Sequence, residues 1–186
     1  MTKKQESWLV VGIVLLALVL DQVSKVYIKT HFELGEAREV LSWFWIAFVE
    51  NNGMAFGIEW FSKLLLTLFR IVAVGVLSWY IHTMIHKQTV RTGYLVTIAM
   101  VVAGALGNII DCVFYGKIWG YAGWFHGRVV DMLYFPLIRN AAGECLFFRP
   151  VFNIADSFIT VAVILILLFY RKDLDESLNK IFPKKD

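Results

Sequence analysis

The chain has 186 residues, of which 59% are hydrophobic and only 18% charged, with a formal net charge of +3. Soluble domains lie nearer about 45–50% apolar and about 25% charged, so this composition excludes a disordered chain and leaves too little polar surface for a water-soluble one. The charge is too small and too evenly spread for nucleic-acid binding, which needs a basic face or arm. Two cysteines, Cys112 and Cys145, make no disulfide framework, CxxC metal site or redox motif.

Four segments carry the roughly 20 mostly apolar residues that a spanning helix needs: about 8–30, 63–81, 93–115 and 151–170. Ahead of the first, Lys3 and Lys4 precede an apolar run from Trp8 to Leu20, as in a secretion signal. No small-residue cleavage site follows and three further spans do, so the segment is read as a retained helix. The connection 31–62 contains Val40 to Glu50, rich in β-branched and aromatic residues and ending at Asn51-Asn52-Gly53; it is predicted as a strand entering a turn. The connection 116–150 is equally long, and the two together hold Trp43, Trp45, Trp60, Trp119 and Trp124, as expected of a platform at headgroup depth. The remaining inner segments (1–7, 82–92 and 171–186) hold nine Lys or Arg in 34 residues, against five (Arg38, Lys117, Arg128, Arg139 and Arg149) in the 67 of the long connections. Basic residues are retained on the cytoplasmic side, which predicts both termini in the cytoplasm and the long connections outside. The expected product is one membrane-embedded domain, mainly α-helical.

Ionisable residues within spans are costly and usually face a cavity or a partner. Here Asp21 lies late in the first span, Arg70 early in the second, Asp111 late in the third and Asp156 early in the fourth, so all four fall near the outer leaflet. Asp131, in the apolar run Val129-Val130-Asp131-Met132, can return to that level, and Asn51, Asn52, Asn108 and Asn153 share it. Each has a plainer reading. Asp21 and Lys25, four apart, can be a helix-surface ion pair. Asn153 and Asp156 have the spacing of a helix N-cap and its dipole partner. Asp111 can sit at a helix end, Arg70 can snorkel or serve as counter-ion to Asp21, and Ala103, Gly104 and Gly107 suit helix packing. Convergence of all of them on one outward-facing site is what the shared depth adds.

The chain has no HExxH, GxSxG, Walker or Rossmann pattern, and neither Ser24 nor Ser157 has an evident base. No metal and no cofactor is expected. What remains is carboxylates. Two held together cannot both ionise cheaply, so one keeps a proton while the other stays anionic, and the pair can polarise a carbonyl and activate water at once. A transporter with an ion pathway and a structural scaffold remain as competing classes. The concentration of charge near one face argues against the first, and the clustering of carboxylates with amides is unexplained by the second.

Five motifs in order then identify a resemblance covering nearly the whole chain. Asp21-Gln22-Val23-Ser24-Lys25 resembles the D-Q-x-x-K of the lipoprotein signal peptidases, or signal peptidase II. Asn51-Asn52-Gly53-Met54-Ala55-Phe56 resembles that family's N-x-G-x-A-F, Gly107-Asn108-Ile109-Ile110-Asp111 its G-N-x-x-D, Val129-Val130-Asp131 its V-V-D, and Phe152-Asn153-Ile154-Ala155-Asp156 its F-N-x-A-D. The resemblance implies a four-helix membrane fold with a small periplasmic β-cradle and an extended outer loop. It implies an aspartyl endopeptidase of the bacterial inner membrane, acting as a monomer. Such an enzyme cuts diacylglyceryl-modified prolipoproteins on the amino side of the lipid-modified cysteine. Carried over by position, Asp131 and Asp156 are catalytic, and Asp21, Lys25, Asn51, Gly53, Asn108, Asp111 and Asn153 support them or bind substrate.

Two positions depart from the pattern. The family's usual Arg after G-N-x-x-D is here Cys112, and Arg128, beside Val129-Val130-Asp131, is the residue expected to supply that charge. Tyr115 to Gly127 and Arg139 to Arg149 read as insertions, forming either a lid or merely longer loops. Cys112 and Cys145 both fall outside, where a disulfide is permitted, but the place of Cys112 at a helix end near the site favours free thiols.

Overall fold

The computed structural model describes residues 1–51, 63–87, 90–140, 145–147 and 150–182. Helix α1 (Lys3–His31) starts at a capping box in which Thr2 Oγ1 accepts from the Gln5 N–H and the Gln5 side chain returns to the Thr2 N–H, satisfying two amides that a helix start leaves open. It leads to strands β1 (Ala37–Leu41) and β2 (Phe44–Asn51), then to helices α2 (Lys63–Lys87) and α3 (Thr92–Ile110). A π-helical turn over Asp111–Tyr115 and the short α4 (Gly116–Ile118) prolong α3. Strand β3 (Val129–Tyr134), the two-stranded ribbon β4 (Ile138–Arg139) and β5 (Cys145–Phe147), and β6 (Val151–Phe152) follow. The last helix runs through α5 (Ile154–Leu165), a π turn and α6 (Arg171–Ile181).

Four of these helices are long and apolar enough to cross a membrane, namely Lys3–His31, Lys63–Lys87, Thr92–Ile118 and Ile154–Ile181. Within their apolar windows 67% of the third is buried, against 17%, 17% and 11% for the others, so α3 is the axis and the other three turn most of their surface to lipid. Small residues make this possible. Ala99 and Ala103 are buried, and a Cβ on Gly104 would stand 2.6 Å from Ile159 Cγ1, so only glycine lets α5 lie this close. At the end carrying both termini, Tyr80, Met84, Tyr94 and Leu95 form the main apolar cluster. Lys3 Nζ donates to the His86 carbonyl at 2.7 Å there.

The helices outrun the predicted spans of 63–81 and 151–170: α2 continues to Lys87 and the last helix to Ile181. The extra turns of the last helix are polar while that of α2 buries Met84 and Ile85 in the apolar cluster, and their contacts explain them. Arg91 pairs with Asp173 and donates to the Phe169 carbonyl, and Ser177 joins the Tyr80–Tyr94 hydroxyl pair.

At the opposite end lies a four-stranded antiparallel sheet in the order β1-β2-β3-β6. Val49 faces Asp131 across the β2–β3 ladder, Glu50 faces Val130 and Asn51 faces Val129. Val40 to Glu50, predicted as a single strand, is instead the end of β1, a turn at Ser42-Trp43, and β2. The turn carries no Gly, Pro or Asn, so composition alone reads straight through it. The predicted turn at Asn52-Gly53 lies outside the described residues. Cys112 and Cys145 are not joined by a disulfide.

Candidate active site

Asp131 reaches the site from β3 and is 2% exposed. Its Oδ1 accepts from Asn153 Nδ2 at 2.7 Å and its Oδ2 from Asn51 Nδ2 at 3.1 Å. Asp156 arrives from the first turn of α5, where its Oδ1 accepts from Asn108 Nδ2 at 2.8 Å and its Oδ2 from the Asn153 N–H at 3.4 Å. Asn153 therefore touches both carboxyls. It caps α5 as well, its Oδ1 accepting from the Asp156 N–H at 2.9 Å. Burial pushes the Asp131 carboxyl up to about 7, and the nearby Asp156 adds to the effect; the amide hydrogen bonds of Asn51 and Asn153 and the Lys25 charge oppose it.

Beneath the two carboxyls is a buried ionic cluster. Lys25, fully buried, places Nζ 2.8 Å from both Asp21 Oδ2 and Asp111 Oδ2 and donates to Asn108 Oδ1 at 3.1 Å. An ammonium offers only donors, so Asn108 must turn its oxygen toward Lys25. That fixes the amide, and the Asn108 NH2 is thereby aimed at Asp156. Lysine chemistry two layers below thus determines which atom meets the carboxylate.

The same cluster holds the backbone in place. Asp21 Oδ1 accepts from the Ala155 N–H at 2.9 Å, an amide of the first turn of α5 that has no partner within its helix. Asp111 Oδ2 accepts from the Val130 N–H at 3.3 Å. One carboxylate thus secures the helix bearing Asp156 and the other the strand bearing Asp131. Gly107 is required beside them, since a Cβ there would lie 2.6 Å from Asp21 Oδ2 and 3.1 Å from Ala155 Cβ.

Asp21, Lys25, Asn51, Asn108, Asp111, Asp131, Asn153 and Asp156 are therefore brought together in one hydrogen-bonded network; Gly53 lies outside the described residues. Arg128 stands apart, with Nη1 2.9 Å from Glu50 Oε2. The guanidinium at Cys112 is that of Arg70, whose Nη1 is 3.5 Å from Sγ. Two members were given no role from the sequence, although Gln22 stands in the D-Q-x-x-K motif. Gln22 Nε2 lies 3.0 Å from Asp21 Oδ2, 2.9 Å from Asp111 Oδ1 and 3.2 Å from the Gly107 carbonyl, and the Tyr115 hydroxyl donates to Gln22 Oε1 at 3.1 Å. The motif itself, with a glutamine adjoining an aspartate inside a span, was the signal for Gln22. Tyr115 had none, because its reach depends on the π turn. Among the described residues no three His, Cys, Asp or Glu side chains gather to hold a metal ion.

Comparison with known proteins agrees along nearly the whole chain. A family model described as signal peptidase (SPase) II matches residues 13–171. A lipoprotein signal peptidase of Porphyromonas gingivalis is 44% identical, the match covering 87% of this chain and 82% of the relative. One from Amoebophilus asiaticus is 35% identical, covering 97% and 84%. Two solved bacterial membrane enzymes are similar in structure. One is 28% identical with a TM-score of 0.66, covering 95% of this chain and 93% of its own; the other is 30% identical with a TM-score of 0.61, covering 86% and 90%.

Proposed function

The chain belongs to the signal peptidase II family and is a multi-pass bacterial membrane protease, and we propose that it is an aspartyl endopeptidase whose dyad is Asp131 and Asp156. Its substrates are diacylglyceryl-modified prolipoproteins, cut on the amino side of the lipid-modified cysteine. The observation that carries this reading is that one asparagine, Asn153, is hydrogen-bonded to both carboxyls at the head of a buried network of amides and charged groups.

The two carboxyls divide the work by environment. Asp131, almost fully buried, holds the shared proton. Asp156 sits at the N-terminus of α5, where the helix dipole favours negative charge, and takes the part of the anion. Asp156 removes a proton from water as the water oxygen bonds the scissile carbonyl carbon, and Asp131 gives its proton to the carbonyl oxygen. Collapse of the resulting diol breaks the C–N bond, with the proton on Asp156 passing to the leaving nitrogen and a diol hydroxyl proton returning to Asp131. The dyad is thereby restored.

The excess of Lys and Arg at the end bearing the termini supports a cytoplasmic location for both and an active site near the outer face. Asn51, Asn108 and Asn153 orient the dyad, Asp21, Lys25 and Asp111 secure its elements, and Gly53 and Arg128 belong to the surrounding support or substrate shell. The enzyme acts as a monomer in contact with membrane lipid. An ion pathway is disfavoured by the packed cluster around Tyr80, Met84 and Tyr94 at the far end. The test is incubation of the purified wild type, Asp131→Asn and Asp156→Asn with a diacylglyceryl-modified precursor and with its unmodified form. Only the wild type should cleave, and only the modified form; full activity in Asp156→Asn would end the assignment.

A further inference from the structure

Outside the dyad network lies a second, separate ionic cluster. Glu50 is paired with both Lys29 and Arg128, and the Glu50 and Lys29 side chains are only 8% and 10% exposed. The Lys29 ammonium lies 5.5 Å from the ring centre of Phe48, 5.4 Å from that of Trp119 and 5.0 Å from that of Tyr121. The Arg128 N–H donates to the Tyr121 hydroxyl at 2.6 Å and its guanidinium covers the same ring at 5.4 Å. Burial alone would push Glu50 up, but hydrogen bonds from Lys29 and Arg128 outweigh it and hold the carboxyl below its usual range, so Glu50 stays an anion.

The cluster joins the last turn of α1, the end of β2, the segment after α4 and the approach to β3. Glu50 immediately precedes Asn51, and Arg128 comes three residues before Asp131. Strand alternation sends Glu50 to the face opposite Asn51. Fixing Glu50 therefore sets the height and twist at which Asn51 presents its amide to Asp131 Oδ2.

We propose that Glu50, clamped by Lys29 and Arg128, is a positioning residue for the peptidase dyad, acting through the hydrogen bond from Asn51 to Asp131. The inference rests on the dyad assignment above. The groups facing Asp131 are Asp156 on α5, Lys25 on α1, and the amides of Asn51 and Asn153. Those facing Glu50 are Lys29, Arg128 and Tyr121, together with Lys63 on α2.

The sign of one shift separates positioning from simple charge. Neutralising Glu50 removes a negative charge, which through space alone would favour ionised Asp131 and move the alkaline limb of the kcat/KM profile down. Loss of the Asn51 hydrogen bond withdraws support from ionised Asp131 and moves that limb up. A hydrogen bond to a charged group corresponds to a shift of about one unit, or about tenfold in ionisation.

The experiment measures pH profiles for wild type, Glu50→Gln, Asn51→Ala and the double variant in detergent micelles, using the lipid-modified precursor. Glu50→Gln should lower kcat about tenfold with little change in KM and move the alkaline limb up by about one unit. In the Asn51→Ala background the same substitution should add no further upward shift, as expected for residues acting in series. Glu50→Asp, which keeps the charge but shortens the reach, should also move the limb up, and it serves if Glu50→Gln does not fold. An unmoved or lowered limb in the folded Glu50 variants, or shifts that add in the double variant, would overturn the proposal. An active Asp131→Asn enzyme would instead refute the dyad itself.

Discussion

Replacing Asp131 by Asn should make stability less dependent on pH, and the size of the change can be worked out. The Asp131 carboxyl stands at about 7 in the folded protein against 3.8 when unperturbed, a difference of about three units. Between those values the native state holds a proton that the unfolded chain has released, so unfolding free energy falls as pH rises. The stabilisation is fully present below about pH 4 and lost above about pH 7. At 1.36 kcal/mol per unit the full loss is about 4 kcal/mol, of which about 2 kcal/mol falls between pH 5 and 7. The amide of the Asp131→Asn variant would be neutral throughout. It would also meet the two amide donors of Asn51 and Asn153 with only one oxygen, a mismatch of about 1–3 kcal/mol that does not vary with pH. The clean readout is therefore the difference between the two proteins across pH, in which the mismatch and the titration of groups not coupled to Asp131 cancel. Denaturant unfolding in micelles, followed by tryptophan fluorescence at pH 5, 6, 7 and 8, would measure it. The variant should gain about 2 kcal/mol on the wild type from pH 5 to pH 7 and little beyond. Parallel stability curves would show that the Asp131 carboxyl is ionised throughout, and the proton assigned to it would have to move elsewhere.

Lys25→Met leaves the carboxylates of Asp21 and Asp111 buried without their cation, each having lost an ammonium at 2.8 Å; about 3–5 kcal/mol of stability should go with it. Adding Asp111→Asn should recover part of the loss in the same unfolding assay. Gly107→Ala brings a methyl to 2.6 Å from Asp21 Oδ2, so it should displace that carboxylate from the Ala155 N–H and lower kcat at least about tenfold, while Gly12→Ala, where a Cβ meets nothing within 4 Å, should leave cleavage unchanged; the contrast is about 1.4 kcal/mol in barrier. Tyr115→Phe removes one hydrogen bond to Gln22 and should cost about 1 kcal/mol of stability with KM unchanged.

Much of the site was legible because membrane spans make polarity conspicuous. Asp21, Lys25, Asn108 and Asp111 stand out against leucine and valine, and their depth follows from counting along helices. The elements that geometry alone creates were not legible. Tyr115 reaches Gln22 only because the helix widens into a π turn at Asp111, and neither residue type announces such a turn. The hairpin at Ser42-Trp43 carries no Gly, Pro, Asn or Asp, and a single Ser is a weak turn signal, so its two strands merge into one apolar run. Lys29 and Glu50 lie 21 positions apart, and nothing in either segment reveals that their side chains share one buried pocket.

Asn153 shows why the plain and the catalytic readings of a residue need not compete. The Asn153-to-Asp156 spacing is that of a helix cap, and the cap is real: the Asn153 side-chain oxygen and the Asp156 carboxylate close a reciprocal box over the first turn of α5. Capping consumes the oxygen of the amide and leaves its NH2 pointing away from the helix, where it meets Asp131 Oδ1 and Asn108 Oδ1. The cap therefore sets the direction of the donor that steadies the other carboxyl, and it holds Asp156 where unsatisfied helix amides favour its charge. A single local motif builds the helix start, positions one acid and orients a hydrogen bond to the second. Substituting Asn153 by Ala or by Ser would separate these duties, since serine can cap but has no NH2 to offer Asp131. Asn153→Ser should accordingly keep α5 intact, with unfolding changed by less than about 1 kcal/mol at the cap, and still lose most of kcat; an equally active Asn153→Ser enzyme would show that the cap alone is what the dyad requires.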